Sequence, residues 1–422
     1  MTTSSIRQVA PWRAISAGAS ATFVGIGLAR FVYTPLLPEL ISNHWFSEAA
    51  GAYLGAANLA GYLIGALAAR RVARRLGDPR ALRWSMALAT VSILACCVPV
   101  SVTWFFLWRL VSGLAGGVIM VRVAGAVLPY LPDRRRGLAG GAVFLGLGLG
   151  IAATGTLIPL LLDSGLRATW IGLAVLCAVL TAFSWKGWPT PVRTDSPAPR
   201  AARPQTPAPK DSGSLKLNLA LGEYALLCVS LVPTMEFLVD FVSRGLGQGS
   251  GRGSLVWIVY GVGAILGPTV YGYLADRMGF AVALRLTSAV QVVALTALCT
   301  VHGLLPVALL SMVIGSFPPG IVPVFLGRVH QLVPRPEAQA PAWGKATIVS
   351  ALFLALASYG FSYLFGQSGG DHRLLFTIGI CAAVGGLLFD AASHLVRSGP
   401  ARESGPSVEA RDAGHAVKLL KP

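Results

Sequence analysis

Apolar residues come in long, nearly unbroken runs along this chain, and short polar segments separate the runs. A helix needs about 20 mainly apolar residues to cross the hydrocarbon core of a bilayer. Twelve runs have roughly this length, at 14–37, 48–69, 82–100, 103–128, 138–162, 169–185, 217–242, 253–275, 285–303, 305–328, 342–366 and 374–395. The pattern predicts an all-α polytopic membrane protein with twelve transmembrane helices in two groups of six.

A segment of different composition, residues 186–216, separates the two groups. It is rich in proline and in charged or small polar residues, so it cannot bury enough apolar surface to order itself and is predicted to be a linker. The predicted organisation is an N-terminal six-helix bundle over 1–185, a cytoplasmic linker over 186–216, a C-terminal six-helix bundle over 217–396 and a disordered cytoplasmic tail over 397–422.

Composition and charge narrow the class of protein. Charged residues make up 12% of the chain, against roughly 25% in soluble domains, which excludes a soluble enzyme. The net charge is +17, but 27 of the 34 lysines and arginines fall on alternate inter-helix segments and only four on the others. This asymmetry follows the positive-inside rule. It predicts a multi-pass protein of the bacterial cytoplasmic membrane with both termini in the cytoplasm, and no nucleic-acid partner.

The segment Gly272–Gly279, with the sequence GYLADRMG, follows the eighth run. It resembles the signature loop of the major facilitator superfamily. The resemblance implies a conformational latch made of Gly272, Asp276 and Arg277. Gly272 is expected to let two helices cross closely. Asp276 is expected to lie against the positive N-terminal end of the eleventh helix.

A weaker copy of this motif indicates an internal repeat. Gly65–Arg70 is matched with Gly272–Arg277, and Ala69 stands where the motif has aspartate. Two parallel halves related by an axis along the membrane normal are typical of transporters, whose site lies between the halves at mid-depth. The repeat therefore predicts two pseudo-symmetric six-helix bundles with a site between them.

Arg109 lies inside the fourth run, at the start of the sequence RLVSGLAG. This sequence resembles a second superfamily pattern, in which the arginine handles protons or substrate, although Ser112 replaces the usual glutamine. An arginine in an apolar span costs at least a few kcal/mol unless it faces water or a partner. Arg109 is therefore predicted to face the transport pathway. The alternative is that its side chain extends to the lipid headgroups.

Four stretches are similar to the YbfB/YjiJ-type transporters of the major facilitator superfamily: Gly25–Pro38, Phe237–Gly247, Gly327–Pro334 and Ser368–Phe376. The resemblance implies a secondary active transporter, not an enzyme, that moves a small organic molecule by alternating access. The chain has no nucleotide-binding loop, so the energy must come from an ion or substrate gradient, and proton coupling is predicted. No cofactor and no metal site are expected.

The predicted substrate and proton pathway consists of Arg30, Tyr33, Arg109, Glu236 and Asp240. When Gly65 is aligned with Gly272, Arg30 maps onto Phe237 and lies within a turn of Asp240. Two acids that share one cation cannot both ionise cheaply. Glu236 is therefore predicted to carry the proton, and Asp240 to pair with Arg30 in an outer gate. The alternative is that Asp240 pairs with Arg244, four residues away.

The sequence also indicates the partners of the protein. The two arginines favour an anionic group in the substrate, unless Glu236 and Asp240 neutralise them. Protons and the lipid bilayer are the other expected partners, and the protein is expected to act as a monomer. A membrane-embedded enzyme would need clustered nucleophiles or metal ligands, which the spans lack. A non-transporting sensor or assembly partner of the same fold stays open.

Overall fold

The computed structural model describes residues 10–130, 136–189 and 213–395. Most of the predicted linker and the whole of the predicted tail lie outside the described residues. Within the described ranges the backbone is almost entirely helical.

Twelve helices of 18 or more residues follow one another in the described part of the chain. They are α1 (Pro11–Ser42), α2 (Glu48–Leu76), α3 (Asp78–Ala95), α4 (Val102–Val127), α5 (Arg136–Leu162), α6 (Leu166–Ser184), α7 (Gly213–Asp240), α8 (Ser250–Met278), α9 (Phe280–Thr300), α10 (Leu304–Leu332), α11 (Pro336–Gln367) and α12 (His372–Leu395). Among the described residues, eleven of these helices are long and apolar enough to cross a membrane. The prediction of a polytopic all-α membrane protein is confirmed.

The helix α3 differs from the predicted third span, 82–100. It begins earlier, at Asp78, and ends five residues sooner, at Ala95. Its first two turns carry three charged residues, which explains why its composition is less apolar than that of the other helices. Pro99 lies just beyond its end, and a proline disfavours helical backbone in the residue before it. Despite its polar start, α3 packs against α4 and α6.

The two ends of the helices define two faces of the molecule. Gly77 and Gly279 make tight turns between α2 and α3 and between α8 and α9, with φ angles of +76° and +81° that favour glycine. We call this side, which also carries the arginine cluster Arg70–Arg75, the basic face. The side that carries the turns at 43–47 and 246–249 is the opposite face.

Glycines of one helix lie against backbone carbonyls of a neighbouring helix at matching places in the two bundles. These contacts join α2 to α4 and α8 to α10: Gly61 to Leu110, Gly65 to Leu114, Gly263 to Met312 and Gly267 to Ser316. Each residue of this set in the first bundle precedes its counterpart in the second bundle by the same number of residues. The same number also separates the first residues of α2 and α8, which are both 29 residues long. The structural repeat therefore aligns Gly65 with Gly267.

The predicted alignment of Gly65 with Gly272 is wrong because it matched the letters of a short motif rather than the helix contacts. The structural counterpart of Gly272 is Arg70. The close helix crossing expected at Gly272 is not present in this conformation, because a Cβ added there would meet no atom within 4 Å. The close helix crossing is made more than one turn earlier, at Gly267.

Gly267→Ala is expected to lower the thermal stability of the protein, whereas Gly272→Ala is expected to preserve or raise it. A Cβ at Gly267 would overlap the Ser316 carbonyl, so α8 and α10 would have to separate. At Gly272 the space is open, and alanine favours a helix over glycine by about 1 kcal/mol. Thermal unfolding of the two purified variants in detergent tests this. Equal melting temperatures would contradict the assignment of the contact.

The two bundles meet mainly along α1 with α7, α2 with α11 and α5 with α8, and to a smaller extent along α1 with α8 and α5 with α10. Between α5 and α8, for example, the indole Nε1 of Trp257 donates a hydrogen bond to Thr154 Oγ1 at 2.9 Å. Elsewhere, large apolar side chains stay uncovered: Leu160, Val293 and Leu388 are 66–68% exposed. Such side chains suit a surface that faces lipid.

Candidate functional site between the two bundles

The helix α1 leaves α-helical geometry in its middle, over the π-helical segment Phe23–Leu28. Gly25 and Gly27 in this segment allow close approach: Gly25 carries the carbonyl against which Gly116 lies, and Gly27 touches the backbone of Gly150. π-Helical turns are rare and frequently mark functional sites. Arg30 follows two residues after this segment.

Three side chains donate hydrogen bonds to the carbonyl oxygen of Ala29. They are Arg109 Nη1 at 2.8 Å, Ser112 Oγ at 3.2 Å and Asn58 Nδ2 at 3.4 Å. Arg109 Nη2 also donates to the carbonyl of Arg30, at 3.4 Å. These bonds hold α1 to α2 and α4 at the residue that precedes Arg30, and so they fix where the Arg30 side chain starts.

Arg109 is buried, with 2% of its surface exposed. Its guanidinium carbon lies 4.8 Å from the ring centroid of Tyr33. The Tyr33 hydroxyl in turn donates to the carbonyl of Gly51 at 2.6 Å. The alternative in which Arg109 extends to the lipid headgroups is therefore not the arrangement in the structure.

Arg30 has few protein contacts for a guanidinium group. Its guanidinium carbon lies 5.4 Å from the ring centroid of Phe31 and 5.7 Å from that of Tyr62. Its Nη2 lies 4.0 Å from the sulfur of Met235. Among the described residues, no carboxylate oxygen lies within 4.0 Å of it. Arg30 is thus a cation without an ion-pair partner in this part of the chain.

Glu236 faces the two arginines from α7. Its Oε1 accepts a hydrogen bond from Ser358 Oγ at 2.6 Å. Its Oε2 is buried and has no hydrogen-bond partner in the described part of the chain. The carboxylate interacts electrostatically with both Arg30 and Arg109. An acid from one bundle and two cations from the other therefore meet at the bundle interface.

Two adjoining cavities lie between the bundles. The larger is lined by residues of α1, α2, α4 and α5 from the first bundle and of α7, α10 and α11 from the second. The smaller has the greater number of charged residues in its lining, which includes Arg30, Tyr33, Asn58, Arg109 and Glu236. Arg30 lines both cavities. Four of the five residues of the predicted pathway therefore meet at one place.

The fifth residue, Asp240, lies elsewhere and has other partners. It is fully buried. Its two oxygens accept hydrogen bonds from Arg244, at 2.5 Å from Nε and 2.8 Å from Nη2. His372 Nε2 lies 2.7 Å from its Oδ2. The predicted pair between Arg30 and Asp240 is not formed, and the alternative pair with Arg244 is the one present.

The alignment of the repeat explains this difference. When Gly65 is aligned with Gly267, the counterpart of Arg30 is Val232 and not Phe237. Asp240 lies two helical turns beyond Val232 along α7, which corresponds to about 12 Å at roughly 1.5 Å per residue. Arg30 and Asp240 therefore lie at different depths.

We call the group formed by Glu48, Asp240, Arg244 and His372 the polar seal. Arg244, in the π-helical segment Phe241–Gly245 that continues α7, joins the two bundles because it also bonds Glu48 at the start of α2. Among the described residues, this is the one ion pair between the bundles. The seal lies at the opposite face.

Three further contacts hold the bundles together between the seal and the site. Ser362 Oγ donates to the carbonyl of Ala52 at 3.0 Å, and Thr34 Oγ1 to that of Met235 at 2.5 Å. The rings of Tyr53 and Tyr359 lie 6.4 Å apart. The opposite face is therefore closed above the site in this conformation.

The residues of the predicted latch are not engaged in this conformation. Asp276 is exposed and has no hydrogen bond or ion pair within the described ranges. The guanidinium of Arg277 lies 4.6 Å from the ring centroid of Tyr273, on the same helix. A latch role for Asp276 and Arg277 stays a prediction.

Sequence reasoning missed several polar residues of this architecture. Asn58 is uncharged, so a search for charges in apolar runs does not find it. His372 falls between the predicted spans 342–366 and 374–395, but it is buried at the start of α12. Asp390 lies inside the predicted span 374–395 and pairs with Arg285 at 2.5 Å. The search for charged residues inside apolar runs, which found the other acids, could have found it.

The fold resembles that of a solved transporter. A D-xylose–proton symporter superposes with a TM-score of 0.68 at 15% sequence identity, over 90% of this chain and 97% of the symporter. The twelve-helix architecture and this likeness define a major facilitator fold.

Residues 22–390 match the family described as "Uncharacterised MFS-type transporter YbfB", and the chain belongs to this family of membrane transporters. A gallate transporter of Pseudomonas putida is 28% identical over 151 residues, which are 36% of this chain and 34% of that transporter. The chain thus matches about a third of the length of this curated relative. Family membership makes the protein a transporter rather than an enzyme.

Proposed function

We propose that the protein is a monomeric, proton-coupled transporter that carries a small organic anion across the bacterial cytoplasmic membrane. The basic face would be cytoplasmic, as would both termini. One observation carries the proposal. Arg30, a cation without an ion-pair partner in the described ranges, lies at the same site as Glu236, a buried acid from the other bundle.

An anionic substrate is supported by the position of Arg30. Its guanidinium opens onto both cavities between the bundles, where a substrate reached from either side of the membrane would lie. A charge at membrane depth is costly unless it meets a partner, and an anionic substrate supplies one. The partial similarity to a gallate transporter supports a carboxylate as that anion.

Proton coupling is supported by the surroundings of Glu236. A bound anion competes with Glu236 for the positive charge of Arg30 and Arg109. An additional negative charge nearby makes the ionised form of an acid less favourable. Substrate binding therefore favours protonation of Glu236, and by linkage protonation favours substrate binding. This reciprocity is what a symporter of anion and proton requires.

Alternating access would begin with the seal. Asp240 is buried and bonds Arg244 through both oxygens within one bundle, whereas the Glu48 side chain is 49% exposed and bonds Arg244 across the bundles. Exposed ion pairs contribute little stability, but a buried charge that loses its partner is strongly unfavourable. Glu48 would therefore release Arg244 when the opposite face opens, and Asp240 would keep it.

Transport by the purified protein in proteoliposomes tests the proposal. With an acidic exterior and an alkaline interior, we expect gallate or a related carboxylate to accumulate inside. A pH-sensitive dye should report proton entry only when the substrate is present, because both are carried together. A protonophore should abolish accumulation. Accumulation that persists with the protonophore, or uptake without any proton entry, would contradict proton coupling.

A further inference from the structure

The larger cavity has an unusual lining for a site that would bind a polar solute. Arg30 is its one charged residue among those described. The four aromatic residues of the lining are Phe31, Tyr62, Tyr224 and Phe317. Most of the remaining lining residues are leucine, isoleucine, valine or methionine. The cavity therefore combines one positive charge with mainly apolar walls, in which Ser350, Cys228 and the two tyrosines carry the other polar groups.

The other cation of the site, Arg109, is only partly occupied, because its buried Nε has no hydrogen-bond partner in the described part of the chain. Arg109 does not line the larger cavity, and its guanidinium donates to two backbone carbonyls. Arg30, by contrast, has the Met235 sulfur as its one hydrogen-bond acceptor in the described part of the chain. Rings lie near its guanidinium at Phe31 and Tyr62. Its N–H groups are thus available to a ligand.

This lining excludes three classes of substrate. A sugar carries hydroxyl groups all around its ring, and besides Arg30 the lining offers them only Ser350, Cys228 and the two tyrosines. Most of its hydroxyl groups would therefore lack hydrogen-bond partners, and a buried polar group without a partner is costly. An organic cation would be repelled by Arg30. A dicarboxylate could pair one group with Arg30, but its second charge would lie against apolar walls, at a still higher cost.

We propose that the substrate is a monocarboxylate whose body is a flat aromatic ring. Its carboxylate binds the Arg30 guanidinium, which matches a carboxylate with two parallel N–H groups. Its ring lies among the aromatic residues of the lining, where ring-to-ring contacts add to the burial of apolar area. This inference rests on the proposed transport function and specifies the ligand of the same site.

Binding of a matched set of probes to the full chain in detergent tests the proposal without any gradient. Benzoate supplies the ring and one carboxylate, benzamide removes the charge, acetate removes the ring, and terephthalate adds a second carboxylate. Isothermal titration should show benzoate binding at least about tenfold more tightly than each of the other three, since a hydrogen-bonded charge pair or a buried ring is worth that much. Affinities for benzamide or terephthalate within about threefold of that for benzoate would overturn the proposal.

Variants locate the site. Arg30→Gln should weaken benzoate binding at least about tenfold, whereas Arg252→Gln, on an exposed arginine that bonds Gln248, should leave it unchanged. Phe317→Leu should weaken benzoate but not acetate. Benzoate affinity that survives Arg30→Gln would overturn the assignment. If Arg30→Gln fails to fold, the four probes on the unmodified chain still decide the matter.

The outcomes separate this inference from the proposed function. Benzoate binding with the expected ranking, but without proton entry in proteoliposomes, would support the substrate class and refute proton coupling. Proton-driven transport of a sugar or a dicarboxylate, without benzoate binding, would refute the substrate class and support coupling.

Discussion

Glu236→Gln is expected to abolish proton-driven accumulation of substrate and to leave exchange of substrate across the membrane intact. Glutamine preserves the size of the side chain and an oxygen that accepts the Ser358 hydrogen bond, but it cannot bind and release a proton. The bundles can therefore still move with substrate bound, whereas the gradient no longer drives them.

The measurement compares accumulation with exchange in the same proteoliposomes. For one proton per substrate, a gradient of one pH unit supports about a tenfold accumulation, because each 1.4 kcal/mol corresponds to a factor of about ten. The Gln variant should reach a ratio of about one, yet exchange labelled for unlabelled substrate at the unmodified rate. Glu39→Gln serves as the control, because Glu39 bonds Asn43, the residue just beyond the end of its own helix. Concentrative uptake by Glu236→Gln would show that another group carries the proton.

Asp240→Asn is expected to lower the free energy of unfolding by about 3–5 kcal/mol, because it breaks a buried ion pair by removing one partner. Arg244 and His372 would both lose the carboxylate that they contact. Glu48→Gln removes the exposed partner of the same arginine and should cost under about 1 kcal/mol. Thermal unfolding of the purified variants measures both. Asp163→Asn is the control, since Asp163 is exposed at the same face.

The small stability effect of Glu48→Gln should accompany a large conformational effect. The variant loses the ion pair that joins the bundles at the opposite face, so the state that is open at that face should become more populated. A cysteine placed at Ser362, which is buried against Ala52, reports this opening. In a background without the native cysteines, a membrane-impermeant thiol reagent should label it several-fold faster when Glu48 is glutamine. Unchanged labelling, or an Asp240→Asn variant as stable as Asp163→Asn, would refute the division of roles within the seal.

Most of the site could be predicted from charges that stand inside apolar runs. Arg30, Arg109 and Glu236 are costly to place in a bilayer, so each had to face a partner or a cavity, and all three line the smaller cavity. The family resemblance added Tyr33, whose ring lies beside Arg109. Hydropathy alone was enough to predict the membrane-spanning helices, because a span in lipid must satisfy its backbone groups by internal hydrogen bonds.

The partners of these charges could not be predicted, because partnership depends on depth and helix geometry. Aligning Gly65 with Gly272 instead of Gly267 was enough to place Arg30 beside Asp240. The π-helical segment Phe23–Leu28 leaves no mark in hydropathy, although it sets the direction of the helix before Arg30. His372 follows a glycine-rich turn and so resembled a loop residue, whereas its burial against Asp240 is a tertiary contact.

The glycine contacts make each bundle stiff along α2 and α4 and along α8 and α10, since backbones in direct contact can neither slide nor part without losing their packing. Deformation during the cycle is thereby concentrated at the boundary between the bundles. Arg30, held to α2 and α4 through Ala29, travels with the first body, and Glu236, bonded to Ser358, travels with the second. The distance between the Arg30 guanidinium and the Glu236 carboxylate therefore depends on the tilt of one bundle against the other. In the proposed cycle, electrostatic work at the site would be done by rocking of the bundles and not by rearrangement inside either of them.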